Sequence, residues 1–430
     1  MDLSPADLDT TTDEILLYAS NHDLQSLKPF LRVPGAASVQ DPETGYTPLH
    51  AAIASCEATA SSPNDTNGSK GDDDTSKSRN EDNNSDIEAA KATLHELLLS
   101  GAIWNDVDFN DETPACLAYR LGLRELYDMI VEAGVRAEML MNLMGGYEEL
   151  ESDEEEPDES VADTGDVVDT DQDRADGDTS IEPTQQATEA EPSVSSTTRD
   201  VNSEDYLAST LTQTPTTLLD ADKNGVMMSW ETPIMSLTAK LLLPQPAMRV
   251  LNIGFGMGII DKLFAETSPS VHHIIEAHPS VLTSLSSPSH PFGPTWQSST
   301  TSSNTVFGGK WQDILPSLVE SNQQYDAIYF DTFGESYTQL HKFFSEYVIA
   351  LLAPEGRFSF FNGLGADRRV CYDVYCKVVE LDLCTAGFDV EWRDVEVGEL
   401  GGEGEGEWAG VRRRYWVLDN YRLPIITFMG

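Results

Sequence analysis

Apolar and polar positions change their rhythm at about residue 249. Beyond it, short apolar runs of strand length alternate with longer segments whose apolar residues recur at helical spacing. Strands are predicted near Val250, His273, Tyr325 and Arg357, then at residues 390–397 and 415–427. The clearest helical pattern is SYTQLHKFFSEYVIALLAPEG, residues 336–356, with one apolar face and a Pro-x-Gly stop. This alternation argues for an α/β fold with a doubly wound sheet, which places its ligand at the carboxyl ends of the strands.

Residues 1–145 carry a different pattern. With a polar stretch at about residues 57–85 set aside as an expanded surface loop, GYTPLHAAIAS and ATLHELLLSGAIWNDVDFNDETPACLAYRLGLRELYDMIVEAGV resemble ankyrin repeats. Thr47, Pro48, Leu49 and His50 match the turn and first helix of the repeat, Leu97, Leu98 and Leu99 its second helix, and Gly101-Ala102 its exit turn. Thr113-Pro114 restarts the cycle. EILLYASNHDLQSLKPFLR resembles a degenerate capping repeat, which a stack needs because its units bury their faces only against neighbours. The resemblance implies a small all-α ankyrin-repeat domain that recognises a protein; an unrelated helical bundle is the plain alternative.

Charge separates the two parts. The 430 residues carry a formal net charge of -48. About twenty of those charges fall between Glu148 and Asp205, a stretch dense in Asp, Glu, Ser and Thr. Such a stretch buries too little apolar area to offset its chain entropy, so residues 146–205 are expected to form an acidic disordered linker, either a solvated spacer or a site for a basic protein. Residues 206–430 make the second domain, interrupted by the Ser-rich SSPSHPFGPTWQSSTTSSN at 286–304. So acidic a chain is not expected to bind nucleic acid directly, which takes clustered Lys and Arg, and a basic protein partner is expected instead. Five cysteines without metal spacing or a disulfide framework point to a reducing compartment, cytoplasm or nucleus. No signal peptide or membrane span is evident, and no membrane association is expected.

Candidate chemistry begins at RVLNIGFGMGIID, residues 249–261, which reads as strand, glycine turn and helix start. A dinucleotide fingerprint needs its third glycine where Ile259 stands. The G-x-G-x-G spacing of Gly254, Gly256 and Gly258 fits S-adenosylmethionine better, although a plain tight turn would use the same glycines. HHIIEAHP ends the second strand with Glu276, placed to grip ribose hydroxyls, and His278 is expected beside the adenosine. Asn252 stands where many methyltransferases carry an acid near the methionine amino group, and it can still accept a hydrogen bond. His272 and His273 face opposite ways on a strand, so no metal site is expected. YDAIYFDTFGES delivers Asp331 to the carboxyl edge of the sheet, where a turn aspartate capping the next helix is the plain alternative. Glu231 lies upstream in GVMMSWETPIM beside an aromatic residue. Two carboxylates with aromatic neighbours suit a planar cation.

These segments resemble a known family. VMMSWETPIM, VLNIGFGMGII, HHIIEAHP, GKWQDI, YDAIYFDTFGES and RRRYWVLDNYRLPI occur in the order found in guanidinoacetate methyltransferase. With the ankyrin-like N-terminus, the chain resembles the fungal protein arginine N5-methyltransferases, type IV. The resemblance implies a class I S-adenosylmethionine-dependent methyltransferase, a doubly wound seven-stranded sheet preceded by the ankyrin-repeat domain. It implies that Glu231 and Asp331 hold the guanidinium. It further implies that Phe255, Gly256, Met257, Gly258, Ile259 and Ile260, with Glu276, Ala277, His278, Trp311 and Gln312, line the S-adenosylmethionine site. Met227, Met235 and Asp331 match further cofactor contacts, and Tyr206 a cover over the site. The acceptor implied is an arginine of a basic protein, such as a ribosomal protein. Methylation of a small guanidino compound or of a terminal arginine nitrogen, and a non-catalytic ankyrin scaffold, remain as alternatives.

Overall fold

The computed structural model describes residues 5–56, 74–151 and 202–430. The insertion predicted at 57–85 and the linker predicted at 146–205 fall largely outside the described residues. A helix, Asp74–Leu99, begins inside the first, and another, Arg124–Glu151, ends inside the second.

Seven strands form one sheet: β1 Arg249–Ile253, β2 Val271–Glu276, β3 Ser303–Gly308, β4 Tyr325–Phe330, β5 Leu352–Phe360, β6 Phe388–Glu396 and β7 Asn420–Phe428. Their spatial order is β3-β2-β1-β4-β5-β7-β6. The first five run parallel, and β7 inserts antiparallel between β5 and β6. This is the class I methyltransferase sheet, whose order reverses between β1 and β4 and so opens a crevice above their carboxyl ends.

Four details differ from the sequence pattern. β3 escapes the pattern because it starts inside the Ser-rich stretch and is a mostly part-exposed edge strand, paired only with β2. Pro354 and Gly356 do not stop a helix but fall within β5, where the ladder to β4 jumps from Leu352 to Arg357 and the missing proline N–H is tolerated in the irregularity. The last strand starts at Asn420, leaving residues 415–419 free of it. A small antiparallel sheet, Thr212–Gln213, Thr217–Leu219 and Gly225–Met228, precedes β1 and was also unforeseen.

Strand alternation divides the core. Val250, Ala327 and Tyr329 pack on the helices Thr232–Leu242 and Ile259–Glu266, while Leu251, Ile328 and Phe330 pack on Trp311–Glu320 and Phe343. Next to the crevice lies a buried polar knot. Asn252 Nδ2 donates to the Gly254 carbonyl at 2.8 Å and to Asp261 Oδ2 at 2.7 Å, and His272 Nε2 lies 2.9 Å from Asp261 Oδ1. Asn252 thus ties β1 to the following helix and β2 rather than offering itself to a ligand. His273 points the other way, to Tyr325 Oη at 2.7 Å.

In the N-terminal part, Thr47 and Thr113 cap the helices Pro48–Ala54 and Pro114–Arg120 through their side chains, and Gly101 takes φ +86° at the exit turn. The apolar core of these helices continues into that of the sheet. Tyr127 Oη donates to Asp373 at 2.5 Å, Tyr375 Oη to Glu138 at 3.0 Å, and Arg369 lies over the Tyr119 ring at 4.8 Å. Gly134 leaves room for Val374, which a Cβ would meet at 2.7 Å. All three polar partners on the sheet side belong to the helix Arg369–Thr385.

Two outcomes are expected. Asp261→Ala strands His272 and Asn252 in the interior and should cost about 3–5 kcal/mol in urea unfolding; a change below about 1 kcal/mol would show that the knot contributes little. A fragment of residues 202–430 bares Val374 and its neighbours, so it should unfold at lower urea than the full chain, by roughly 3 kcal/mol or more. Equal midpoints would mean that the N-terminal helices add no support.

Candidate active site

The glycine turn after β1 is built so that backbone alone faces the crevice. Gly254, Gly256 and Gly258 have φ of +93°, +53° and +68°, values that disfavour side chains. A Cβ on Gly254 would lie 1.9 Å from the Asp331 carbonyl oxygen, and one on Gly256 would meet Met227 Sδ at 2.9 Å. Glu276 at the end of β2 organises the turn from the other side. Its Oε2 accepts from the N–H groups of Phe255 at 2.9 Å and Gly256 at 3.3 Å, and its Oε1 from His278 at 2.6 Å. Burial raises the pKa of Glu276, and these three N–H groups oppose the rise. Lone pairs remain for a ligand hydroxyl.

A cleft opens above this turn. It is lined by Tyr206, Met227, Gly254, Gly256, Glu276, Ala277, Trp311, Gln312 and Asp331 among the residues expected there. Tyr206, on the short helix Ser203–Ala208, is held over it by Phe333 at 5.0 Å and His278 at 4.8 Å between ring centroids.

Other expected residues support the cleft without lining it. Phe255 turns away to pack on Phe292 of the Ser-rich segment at 5.6 Å, and Gly258 makes room for the Phe255 ring. Ile260 and Met235 are fully buried in the core, with Met257 and Ile259 packed against the same cluster. Met257 still contributes, its N–H meeting Met227 Sδ at 3.2 Å. His278 caps the helix Pro279–Leu285 through Nδ1 and turns Nε2 to the Tyr206 carbonyl, so it props the cover instead of facing a ligand.

A second cleft, about 890 Å³, adjoins the first and contains Glu231, Tyr415, Phe360 and Phe361. Val226, Asp331, Thr332, Phe333 and Glu335 line both. The two predicted carboxylates therefore meet at the second cleft, and Asp331 also fronts the first. Burial raises the pKa of Asp331 to about 7, with no hydrogen bond from the described residues to its carboxylate offsetting the rise. Glu231, 3% exposed, is pushed well above the ordinary carboxylate range by burial and by the Asp331 charge, while Tyr415 donates to its Oε1 and opposes the shift.

Two further residues shape the site. Glu335 accepts from Trp311 Nε1 at 3.0 Å, Gln312 Nε2 at 3.1 Å and Thr332 Oγ1 at 2.8 Å, and so pins the wall shared by the clefts. Tyr415, expected to begin a strand, instead precedes it and lines the second cleft. Its place in RRRYWVLDNYRLPI, one of the family-like segments, was the available signal.

Comparison with known proteins gives the class of reaction. The profile of the guanidinoacetate N-methyltransferase family matches residues 196–379. Protein arginine N-methyltransferase 2 of Gibberella zeae is 51% identical over 413 residues, 95% of this chain and 90% of that protein. The protein of the same name in Aspergillus fumigatus is 49% identical over 431 residues, 99% of this chain and 98% of its own length. The one in Saccharomyces cerevisiae is 36% identical over 347 residues, 76% and 75% of the two chains. The glycine turn, the cleft above it and the sheet order fit S-adenosylmethionine, which is the cofactor. Similarity of this extent, together with the paired carboxylates, makes the chain a member of the protein arginine N-methyltransferase 2 family, a methyltransferase acting on protein arginine.

Proposed function

We propose that the chain methylates the internal, Cδ-attached guanidino nitrogen of arginine in an acceptor protein. The observation that carries this reading is Asp331, which fronts the cofactor cleft and the acceptor cleft at once, with Glu231 in the second. A guanidinium is protonated at any working pH and its lone pairs are delocalised, so its nitrogens are poor nucleophiles. Two carboxylates that hold its terminal amino groups draw positive charge to those nitrogens and free electron density on the internal one. Bound S-adenosylmethionine would supply an electrophilic sulfonium methyl and leave as S-adenosylhomocysteine, the S–CH3 bond being the one broken. Asp331, bordering both clefts, takes the proton that leaves the internal nitrogen as the N–C bond forms. Terminal-nitrogen chemistry is less favoured, because Glu335, the other acid beside Asp331, is committed to Trp311, Gln312 and Thr332.

The N-terminal helices, read as ankyrin-like, recruit the acceptor. A net charge of -48 suits a basic acceptor, such as a ribosomal protein, met in the cytoplasm or nucleus without direct contact to nucleic acid. Fragmentation mass spectrometry of labelled acceptor from cell extract identifies the methylarginine isomer; a methyl group found only on terminal nitrogens would overturn the internal assignment.

Asp331→Asn and Glu231→Gln keep shape and remove charge. Each should reduce methylation about a hundredfold or more, with S-adenosylhomocysteine affinity within a few fold in calorimetry. Wild-type turnover in Asp331→Asn with cofactor binding lost would assign Asp331 to the cofactor alone.

The raised pKa of Asp331 gives two pH effects of opposite sign. Below about pH 7 the free enzyme carries it protonated, so kcat/KM for the acceptor should rise with pH through a midpoint near 7, an apparent value belonging to the carboxylate pair. A flat profile between about pH 6 and pH 8 would remove Asp331 from the proton path. Stability moves the other way, since ionising a group whose folded pKa is raised opposes folding; the extra stability of the protonated form is complete near pH 4 and lost by about pH 7. Asp331→Asn should therefore match the wild type near pH 4 and be roughly 1–3 kcal/mol more stable above pH 7. Thermal melts at the two pH values measure the difference.

A further inference from the structure

Glu231 is held from the far end of the chain. Tyr415 Oη donates to Glu231 Oε1 across 184 residues of sequence. The Tyr415 ring has little freedom, with Trp408 edge-on at 5.0 Å, Trp230 at 5.9 Å, and Gly225 so close that a Cβ there would come within 2.8 Å of Tyr415 Cε1. Trp408 is itself fully enclosed, and Arg414, the preceding residue, is tied to Glu403 at 3.1 Å. The segment between the Gly- and Glu-rich loop and β7 thus forms part of the acceptor cleft, which Tyr415 lines.

We propose that Tyr415 is a positioning residue for the acceptor, fixing the Glu231 carboxylate through Oε1 and leaving Oε2 for the arginine guanidinium. This rests on the reading of Glu231 and Asp331 as the counter-charges of that cation. The groups that face Glu231 are Asp331 from the end of β4, Tyr415, and Tyr329 and Tyr421 from β4 and β7, none of which brings a positive charge. Burial and Asp331 favour the neutral acid, and the Tyr415 hydroxyl with the Met228 backbone favours the carboxylate. Burial and the Glu231 charge in turn push the Tyr415 phenol well above its ordinary value, so it remains a donor throughout the working range. A phenylalanine would keep the ring contacts and lose only the donor.

The test is binding of ethylguanidinium to the full chain saturated with S-adenosylhomocysteine, followed by calorimetry from about pH 6 to pH 9. Tyr415→Phe should bind S-adenosylhomocysteine within about twofold of the wild type, bind ethylguanidinium about tenfold more weakly at neutral pH, and recover on raising the pH, its acid-side midpoint displaced upward by roughly one unit. Adding Tyr415→Phe to Glu231→Gln should cost less than about twofold more, because the hydroxyl acts only through Glu231. Wild-type ethylguanidinium affinity at every pH in Tyr415→Phe would overturn the inference, as would loss of S-adenosylhomocysteine binding with it, which would mark a general structural role. The underlying carboxylate reading fails separately, if Glu231→Gln binds the cation as the wild type does or the wild type does not bind it.

Discussion

The site depends on one close approach of backbone to backbone. Gly254 leaves the end of β1 and Asp331 leaves the end of β4, and the strand ladder runs one step past both through the Asp331 N–H to the Ile253 carbonyl at 2.9 Å. No side chain fits between them, since a methyl group on Gly254 would sit 1.9 Å from the Asp331 carbonyl oxygen. The turn that cradles the cofactor and the residue that faces the acceptor are therefore set by the same pair of strands. Methyl transfer needs its donor, acceptor and base aligned to within a fraction of an ångström, and groups fixed by a sheet hold that alignment better than groups on separate loops.

The same arrangement explains why the second cleft is electrostatically unfinished. Glu231 and Asp331 are enclosed where ionisation is unfavourable, and the Asp331 charge makes it worse for Glu231. Under the proposed function, an acceptor guanidinium relieves both penalties on arrival. Selectivity follows from the same imbalance. Under the proposed function, a neutral amide or hydroxyl of similar size brings no counter-charge and leaves the pair to take up protons instead, so charge discriminates beyond what shape alone supplies.

Much of this was legible in the sequence where a residue's role follows from its place on a strand. Gly254, Gly256, Glu276 and Asp331 stand at strand ends, and the strand pattern alone put them at one edge. Glu231 needed the family-like segment around it. What the sequence hid were roles decided by packing between distant segments. Phe255 lies in the middle of the glycine motif, yet it leaves the cleft because Phe292, from a stretch that reads as a polar insertion, offers an apolar partner. His278 has the chemistry of a ligand contact, but the free N–H of Ser280 makes it a helix cap. Tyr415 reads as the start of a strand, and its bond to Glu231, which spans most of the catalytic part, follows from no local pattern. β3 was missed because an edge strand buries too little to require an apolar run.

The N-terminal helices change the picture of a recognition module on a tether. Their core is continuous with that of the sheet, and their polar contacts converge on the helix Arg369–Thr385. The residues just before that helix, Phe361, Gly363 and Leu364, form a wall of the acceptor cleft, and Tyr375 within it packs on Tyr337 at 5.7 Å, at the start of the helix that follows Asp331. An acceptor bound on the N-terminal helices would thus be presented at a fixed distance from Asp331 and Glu231, with little slack to lose. Under the proposed function, that rigidity selects among arginines by position as well as by sequence, because only one lying at the matching distance from the docked surface can place its guanidinium between the two carboxylates.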